Sequence, residues 1–346
     1  MEEFQIVSFL LLFLFSPSGD LDKIQHEDEY AEFKIKPSYI TTPTSEREDY
    51  FEAYDKTLQL WGVEYEDLYI NTSKGIAHVI TCGPRDGVPV VLMHGMSASS
   101  TMWYPNAKAL SSEYRLFAID LIIEPGKSYK TVDLKNIDEI TAWYEEVLDK
   151  LKLESFHLIG TSRGGWLATD LALHSEKVKS VILLSPVQTI SWMRPSGGLL
   201  KNMLNIFYPK EKRALRTLET LSNDPSKIEE DYIEQSRLAL KNDTLKKFML
   251  QMRPFSNKVL ESLKMPVLVL VGDRDLFNGK RSVKLTEKYI PEGEGAIISN
   301  SGHFLSIDQT DEVNQKMLDF LHHVDQEPIL PERETDLRKI SVLRPE

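Results

Sequence analysis

The feature that most constrains this chain is a series of short apolar runs that do not alternate with polar residues. Residues 88–93, 115–120, 155–159 and 178–184 each have the length of a strand and are apolar at successive positions. Such strands must be buried on both faces, which is the condition of a parallel sheet covered by helices on either side. Helix-length stretches stand between them at residues 100–111, 138–151 and 164–174, where crossovers are needed. The alternation predicts an α/β fold with a mostly parallel central sheet. A hairpin-like pair at 63–70 and 76–81 opens the sheet. Strand signals return at 266–271 and 296–299, before a closing helix over 308–323.

With 346 residues, 41% of them hydrophobic, the chain can bury one large core, and one catalytic domain is expected over residues 61–323. The strand signal lapses between 185 and 264, where charged helical segments such as 210–220 and 228–242 read as a helical cap inserted at about 187–260. Residues 20–60 read as an N-terminal arm: polar, acidic and broken by Pro37 and Pro43 as far as residue 48, then a short helix over 50–60. The Pro- and charge-rich stretch 324–346 reads as a disordered tail.

Residues 1–19 are set apart by the apolar run 6–15, which is shorter than the roughly 20 residues a spanning helix needs. Glu2 and Glu3 stand where a secretory signal carries Lys or Arg. Two readings stay open for this run. As a signal core or membrane tether it makes the protein exported or membrane-associated; as an apolar tail it leaves the protein cytoplasmic. On either reading it is not part of the fold.

Lys and Arg total 41 against 53 Asp and Glu, and the net charge of -12 argues against nucleic acid and against general attraction to anionic membranes. Cys82 is the sole cysteine, so neither an internal disulfide nor a cysteine-based metal site is available. No metal-ligand cluster, nucleotide loop or dinucleotide fingerprint is apparent, and no dissociable cofactor is expected. Oligomeric state has no signature in the sequence.

The chemistry is carried by Gly160-Thr161-Ser162-Arg163-Gly164, which fits G-x-S-x-G. The pattern alone is weak, but the run 156–159 reads as a buried strand just before it and 165–174 as a helix just after it. Strand, sharp turn and helix make a nucleophile elbow, with glycines where larger side chains would meet the neighbouring strand and helix. Ser162 is therefore the candidate nucleophile.

On these residues the chain, from about residue 60 to 323, resembles the α/β-hydrolase family of serine hydrolases and esterases with a helical cap. The resemblance implies an oxyanion hole formed by the backbone N–H groups of Met96, in the loop His94-Gly95-Met96 after strand 88–93, and of Arg163. Of eight histidines, only His303 lies in a Gly-His loop between a late strand and the closing helix, which makes it the candidate general base. His94 is expected to be structural. Two aspartates follow the run 267–271, in Gly272-Asp273-Arg274-Asp275. The family's G-x-x-D spacing favours Asp275 as the acid that orients the histidine, with Asp273 as a turn former. Asp308 is expected to stabilise a helix start.

The chain departs from the family at two places. Arg163 stands where many relatives carry Met, Leu or Gln, and the loop 120–128 keeps mainly Asp120 and Ser128 of the usual glycine-rich sequence. Trp192, Met193, Phe207 and Tyr208 of the cap, with Met96 and Trp103 of the core, are candidates to line an apolar substrate pocket, against the plainer reading that they only pack. The leading expectation is hydrolysis of small to medium carboxylic esters through an acyl-enzyme. A serine at the elbow argues against chemistry that needs a carboxylate nucleophile. Cleavage of C–C bonds, lactones or thioesters, or a non-catalytic binding role on the same scaffold, are the alternatives.

Overall fold

The structure, a computed structural model, describes residues 29–193, 195, 197–242 and 252–326. The apolar run 6–15 and residues 327–346 lie outside the described residues.

A short 3-10 helix (Ala31–Lys34), a one-turn helix α1 (Ser38–Thr41) and a longer helix α2 (Ser45–Gln59) precede the sheet. Strands β1 (Tyr65–Thr72) and β2 (Gly75–Cys82) form an antiparallel hairpin closed at Thr72↔Gly75. Then follow β3 (Pro89–Met93), α3 (Ala107–Leu110), β4 (Arg115–Ile119), the two-residue β5 (Tyr129–Lys130), α4 (Ile137–Lys150), β6 (Phe156–Thr161), α5 (Arg163–His174) and β7 (Val178–Leu184). Helices α6 (Gly197–Leu204), α7 (Lys210–Leu221), α8 (Glu230–Asn242) and α9 (Asn257–Leu260) separate β7 from β8 (Val267–Gly272). The chain continues through α10 (Lys280–Tyr289), β9 (Gly293–Ile298), α11 (Leu305–Asp308) and α12 (Thr310–Gln326).

The strands lie in the order β1-β2-β4-β3-β6-β7-β8-β9, with β5 paired to β2. From β4 through β3 to β9 every pairing is parallel. The chain runs outward from β3 to β4 and then crosses to β6 on the other side, so the order reverses at β3. In open α/β sheets the crevice beyond the carboxyl ends of the strands at such a reversal is where ligands bind. Here it is bounded by the loop after Met93 and the turn after Thr161.

Neighbouring strand residues feed two separate cores, which is why the strands read as unbroken apolar runs. Val91, Phe117, Leu158, Val181 and Val269 pack under α4 and α5 with Trp143, Val147, Leu167 and Leu171. Val90, Leu92, Leu116, Ile159, Ile182 and Leu270 pack on the opposite face with Tyr54, Leu58, Trp61, Trp103 and, from α12, Met317 and Leu321.

Several elements differ from the sequence reading. The single helix expected over 100–111 is split into a 3-10 turn (Ser100–Trp103) and α3. Pro105 lies between them, and a proline cannot donate the N–H that a continuous helix requires. Helix α10 was not anticipated, because its fully buried positions are the polar Ser282 and Thr286 and its apolar residues against the core, Val283 and Tyr289 among them, are only partly buried. Helix α2 begins at Ser45, inside the stretch read as arm. Helix α12 continues to Gln326, and Asp325 accepts hydrogen bonds from Tyr114 Oη and His157 Nε2, each at 3.2 Å. Among the described residues no helix is long and apolar enough to cross a membrane.

Candidate active site

The carboxyl end of β6 turns directly into α5, and Ser162 occupies the turn with φ 54° and ψ -118°. A non-glycine residue in such a region costs on the order of 1–3 kcal/mol and persists only where its surroundings over-determine it. Here Ser162 N–H donates to Leu184 O at 2.9 Å, and Ser162 O accepts from Gly165 N at 3.2 Å and Val187 N at 3.1 Å. The flanking glycines are required by close approach: a Cβ on Gly160 would lie 2.5 Å from Gly164 O, and one on Gly164 would lie 2.2 Å from Met93 O.

His303 comes from the loop between β9 and α11, and its Nε2 stands 3.0 Å from Ser162 Oγ. Its Nδ1 stands 3.2 Å from Asp275 Oδ1, in the loop after β8. The Asp275 side chain is fully buried and that of His303 nearly so. Burial pushes the Asp275 carboxyl up, but the charge and hydrogen bond of His303, the Phe277 N–H and the Asn278 amide outweigh it and hold the group below the usual carboxylate range. The ring of Phe277 meets the imidazole edge-on, with centroids 4.7 Å apart. An ionised carboxylate on Nδ1 requires that atom to donate, which leaves Nε2 to accept the serine proton. Asp273 is turned elsewhere, accepting from Ser301 N at 3.1 Å within the His303 loop.

The loop expected to supply one oxyanion donor passes close to the serine. The Gly95 backbone passes so close to the nucleophile that a Cβ there would lie 3.3 Å from Ser162 Cβ, which sets Met96 beside the serine. Arg163 opens α5, at the positive end of that helix's dipole. His94 is held as a neutral ring: Nδ1 donates to Gly95 O at 2.8 Å and Nε2 accepts from Leu121 N at 2.9 Å, while burial lowers its pKa. Arg163 is partly buried; burial lowers its pKa, opposed by the charge of Glu124. The Glu124 carboxylate in turn accepts from Ser97 N at 2.8 Å, beside Met96.

The expected pocket residues separate. Trp103 is buried and, with Met102, Tyr232 and Phe304, lines a small recess against His303. Trp192 and Met193 line a different depression with Pro195 and Arg281, which shares no lining residue with that recess. Phe207 and Tyr208 are exposed on the cap. The sequence gives no pattern for how a cap sits on a sheet, so residue type alone does not tell these positions apart.

Three contributors escaped the sequence reading wholly or in part. Asp308 is more than a helix-start residue, because its buried carboxylate accepts from Ser222 Oγ (2.6 Å), Asn223 N (2.8 Å), Asp224 N (2.9 Å) and Gly302 N (2.7 Å), joining the end of α7 to the His303 loop. His303 N–H itself donates to Leu221 O of α7 at 2.7 Å. Asn278 and Glu124 were also missed, although Asn278 sits only three residues beyond Asp275. Among the described residues no group of three His, Cys, Asp or Glu side chains is placed to hold a metal ion.

A strand-turn-helix serine at the reversal point of a parallel sheet, with a histidine and a buried carboxylate supplied by later loops, defines a hydrolase of one architecture. The chain belongs to the α/β-hydrolase fold family, whose model matches residues 88–224. Among its relatives is the "uncharacterized carboxylesterase nap" of Bacillus subtilis, 30% identical over 283 residues that cover 79% of this chain and 92% of the relative. Carboxylesterase YbfK of the same organism is 29% identical over 288 residues, covering 79% and 93%. The solved structure of naproxen esterase (carboxylesterase NP) from Bacillus subtilis superposes with a TM-score of 0.74 at 29% identity, covering 80% of this chain and 99% of that one.

Proposed function

We propose that this protein hydrolyses small to medium carboxylic esters through an acyl-enzyme on Ser162, with His303 as general base and Asp275 as the carboxylate that orients it. The observation that carries the reading is the hydrogen-bonded line Ser162 Oγ, His303 Nε2, His303 Nδ1, Asp275 Oδ1, at 3.0 and 3.2 Å. The carboxylesterase relatives support the choice of bond.

As Ser162 Oγ attacks the ester carbonyl, its proton passes to His303 Nε2, and the imidazolium is steadied by Asp275, which stays ionised. The oxyanion is received by the N–H groups of Met96 and Arg163, which are aimed before the charge appears. Collapse of the tetrahedral species returns the Nε2 proton to the departing alkoxide and leaves the acyl group on Ser162. A water molecule then gives a proton to Nε2 and attacks the acyl carbon, and collapse of the second tetrahedral species returns that proton to Ser162 Oγ as the acid departs. Trp103 and Met102, which line the recess beside His303, are the apolar contacts this reading gives the substrate.

The test is labelling with a fluorophosphonate probe beside turnover of nitrophenyl esters of graded acyl length. Wild type is expected to label and turn over, and Ser162→Ala to lose both while keeping its thermal transition. Folded wild type that neither labels nor turns over would favour a binding role on the same scaffold.

A further inference from the structure

We propose that the α6–α7 face of the cap is a docking surface for an anionic phospholipid bilayer. A helix packed on a soluble protein turns its apolar stripe inward. Here Leu200 and Leu204 of α6, spaced i, i+4, and Phe207 in the 3-10 turn (Asn205–Phe207) that follows it are 59%, 47% and 83% exposed. Helix α7 buries Ala214 and Leu218 and leaves Leu215 outside, and Trp192 at the start of the cap is 61% exposed. Single exposed apolar side chains need no explanation, but clustering does. Of the nine exposed large hydrophobic side chains among the described residues, six fall between Trp192 and Leu215.

The charge around the stripe selects the partner. In sequence, the stretch from 192 to the end of α7 carries Arg194, Lys201, Lys210, Lys212, Arg213 and Arg216 against Glu211 and Glu219, in a chain whose net charge is -12. Lys201, Lys212 and Arg216 are exposed, and the Arg216 guanidinium lies 4.4 Å over the Tyr208 ring. An apolar stripe rimmed by cations is the composition of a helix that lies in a bilayer interface, where apolar burial and attraction to anionic headgroups add. The acidic remainder of the molecule opposes this only weakly, since exposed charges beyond about 8 Å are largely screened at physiological ionic strength. A second copy is a poorer occupant, because a two-fold contact sets this face against itself and so brings cations against cations. On the opposite side of α6 from the stripe, the Gly198 backbone rests on Leu276, the residue after Asp275, so the docking helix is backed by the loop that supplies the carboxylate.

The test measures binding and needs no turnover. The full chain is cosedimented with phosphatidylcholine vesicles and with vesicles of equal parts phosphatidylcholine and phosphatidylglycerol. It is compared with the variant Leu200→Ser/Leu204→Ser/Phe207→Ser and with Lys201→Glu/Lys212→Glu/Arg216→Glu. The expected result is binding to the anionic vesicles that falls by about tenfold or more in each variant, with thermal midpoints and turnover of a soluble short-chain ester unchanged. Variants that bind as well as wild type would overturn the proposal and move membrane attachment to the run 6–15. Absence of vesicle binding by wild type would also overturn it. So would a dimer in sedimentation that the serine variant dissociates, which would make the face a self-association surface.

Discussion

At the residue scale, the backbone around Ser162 is held by side chains that never meet the substrate. Ser97, next to Met96, adopts φ 54°, a left-handed conformation that a serine does not take without support. That support is the Glu124 carboxylate at 2.8 Å from Ser97 N, and the same carboxylate faces the charge of Arg163 on the other side of the proposed oxyanion hole. One acid therefore touches the residue after Met96 and faces the side chain of Arg163, the two residues whose amides make the proposed hole. Glu124→Ala is expected to lower kcat by about tenfold with little change in KM, because a donor displaced from the developing oxyanion weakens the transition state more than the bound ester. Glu124→Gln, whose amide oxygen still accepts from Ser97, should recover most of the loss. Steady-state kinetics of the two variants decide the matter; equal falls in both, or a change confined to KM, would count against it. The sequence showed Arg163 and the 120–128 loop as separate departures from the family pattern. That they are coupled was not legible, because the contact joins loops from different strands.

At the element scale, legibility follows burial. Strands covered on both faces print as apolar runs, and β7 was bounded in the sequence at both of its ends. Ser162, Asp275 and His303 were readable because each sits in a short loop straight after a strand. The coupling of cap to site was not readable, since Asp308 and Ser222 are 86 residues apart. Replacing Asp308 with alanine leaves the donors of Ser222, Asn223, Asp224 and Gly302 without their acceptor, at a cost of about 3 kcal/mol or more. Urea denaturation should show that loss, with kcat falling as the His303 loop loosens; a variant as stable as wild type would mean water replaces the carboxylate.

Within the same sheet, the middle of β2 holds a buried histidine between an acid of β1 and one just past β4. His78 is fully buried, with Nδ1 at 2.9 Å from Asp120 and Nε2 at 2.8 Å from Asp67. Burial pushes the imidazole pKa down, but hydrogen bonds and charge from Asp120 and Asp67 outweigh it and hold it above the usual value. Burial pushes the two carboxyls up, and His78, with smaller contributions from Lys127 and neighbouring groups, more than reverses this, so both lie below the usual range. The raised histidine stabilises fully below its unfolded pKa of about 6.5 and loses that contribution as pH rises through the folded value. The lowered aspartates stabilise above about pH 3.9 and lose their contribution as pH falls. The thermal midpoint should thus decline as pH climbs from about 6.5, and His78→Gln should flatten that decline while lowering the midpoint overall. An unchanged alkaline slope in the variant would assign the effect to other groups.

At the scale of the whole molecule, the question is whether the sequence before the sheet is an appendage or part of the folding unit. Tyr54 and Leu58 of α2 and the following Trp61 are almost wholly buried in the same cluster as Val90, Leu92 and Ile182 of the central strands. Thr57 Oγ1 donates to Asp231 O of α8 at 3.0 Å. The buried amide of Gln235 on α8 donates to Tyr50 Oη at 3.3 Å and Ser99 Oγ at 2.9 Å, and accepts from Thr101 Oγ1 at 2.8 Å. One side chain thus joins α2, the cap and the stretch that follows the oxyanion loop. Polar residues up to about 48 masked this in the sequence, because the apolar face of α2 is short and its partners lie in distant parts of the chain. If α2 is integral, it cannot melt ahead of the sheet. Leu58→Ala, which opens a cavity between α2 and the strands, should cost about 2–5 kcal/mol, and its unfolding should stay a single transition. Tryptophan fluorescence, far-UV circular dichroism and esterase activity, followed through one urea titration, are expected to share a midpoint in wild type and to shift together in the variant. An early circular dichroism transition with activity retained would show that α2 detaches by itself, and the sheet with its cap would then be the smaller folding unit.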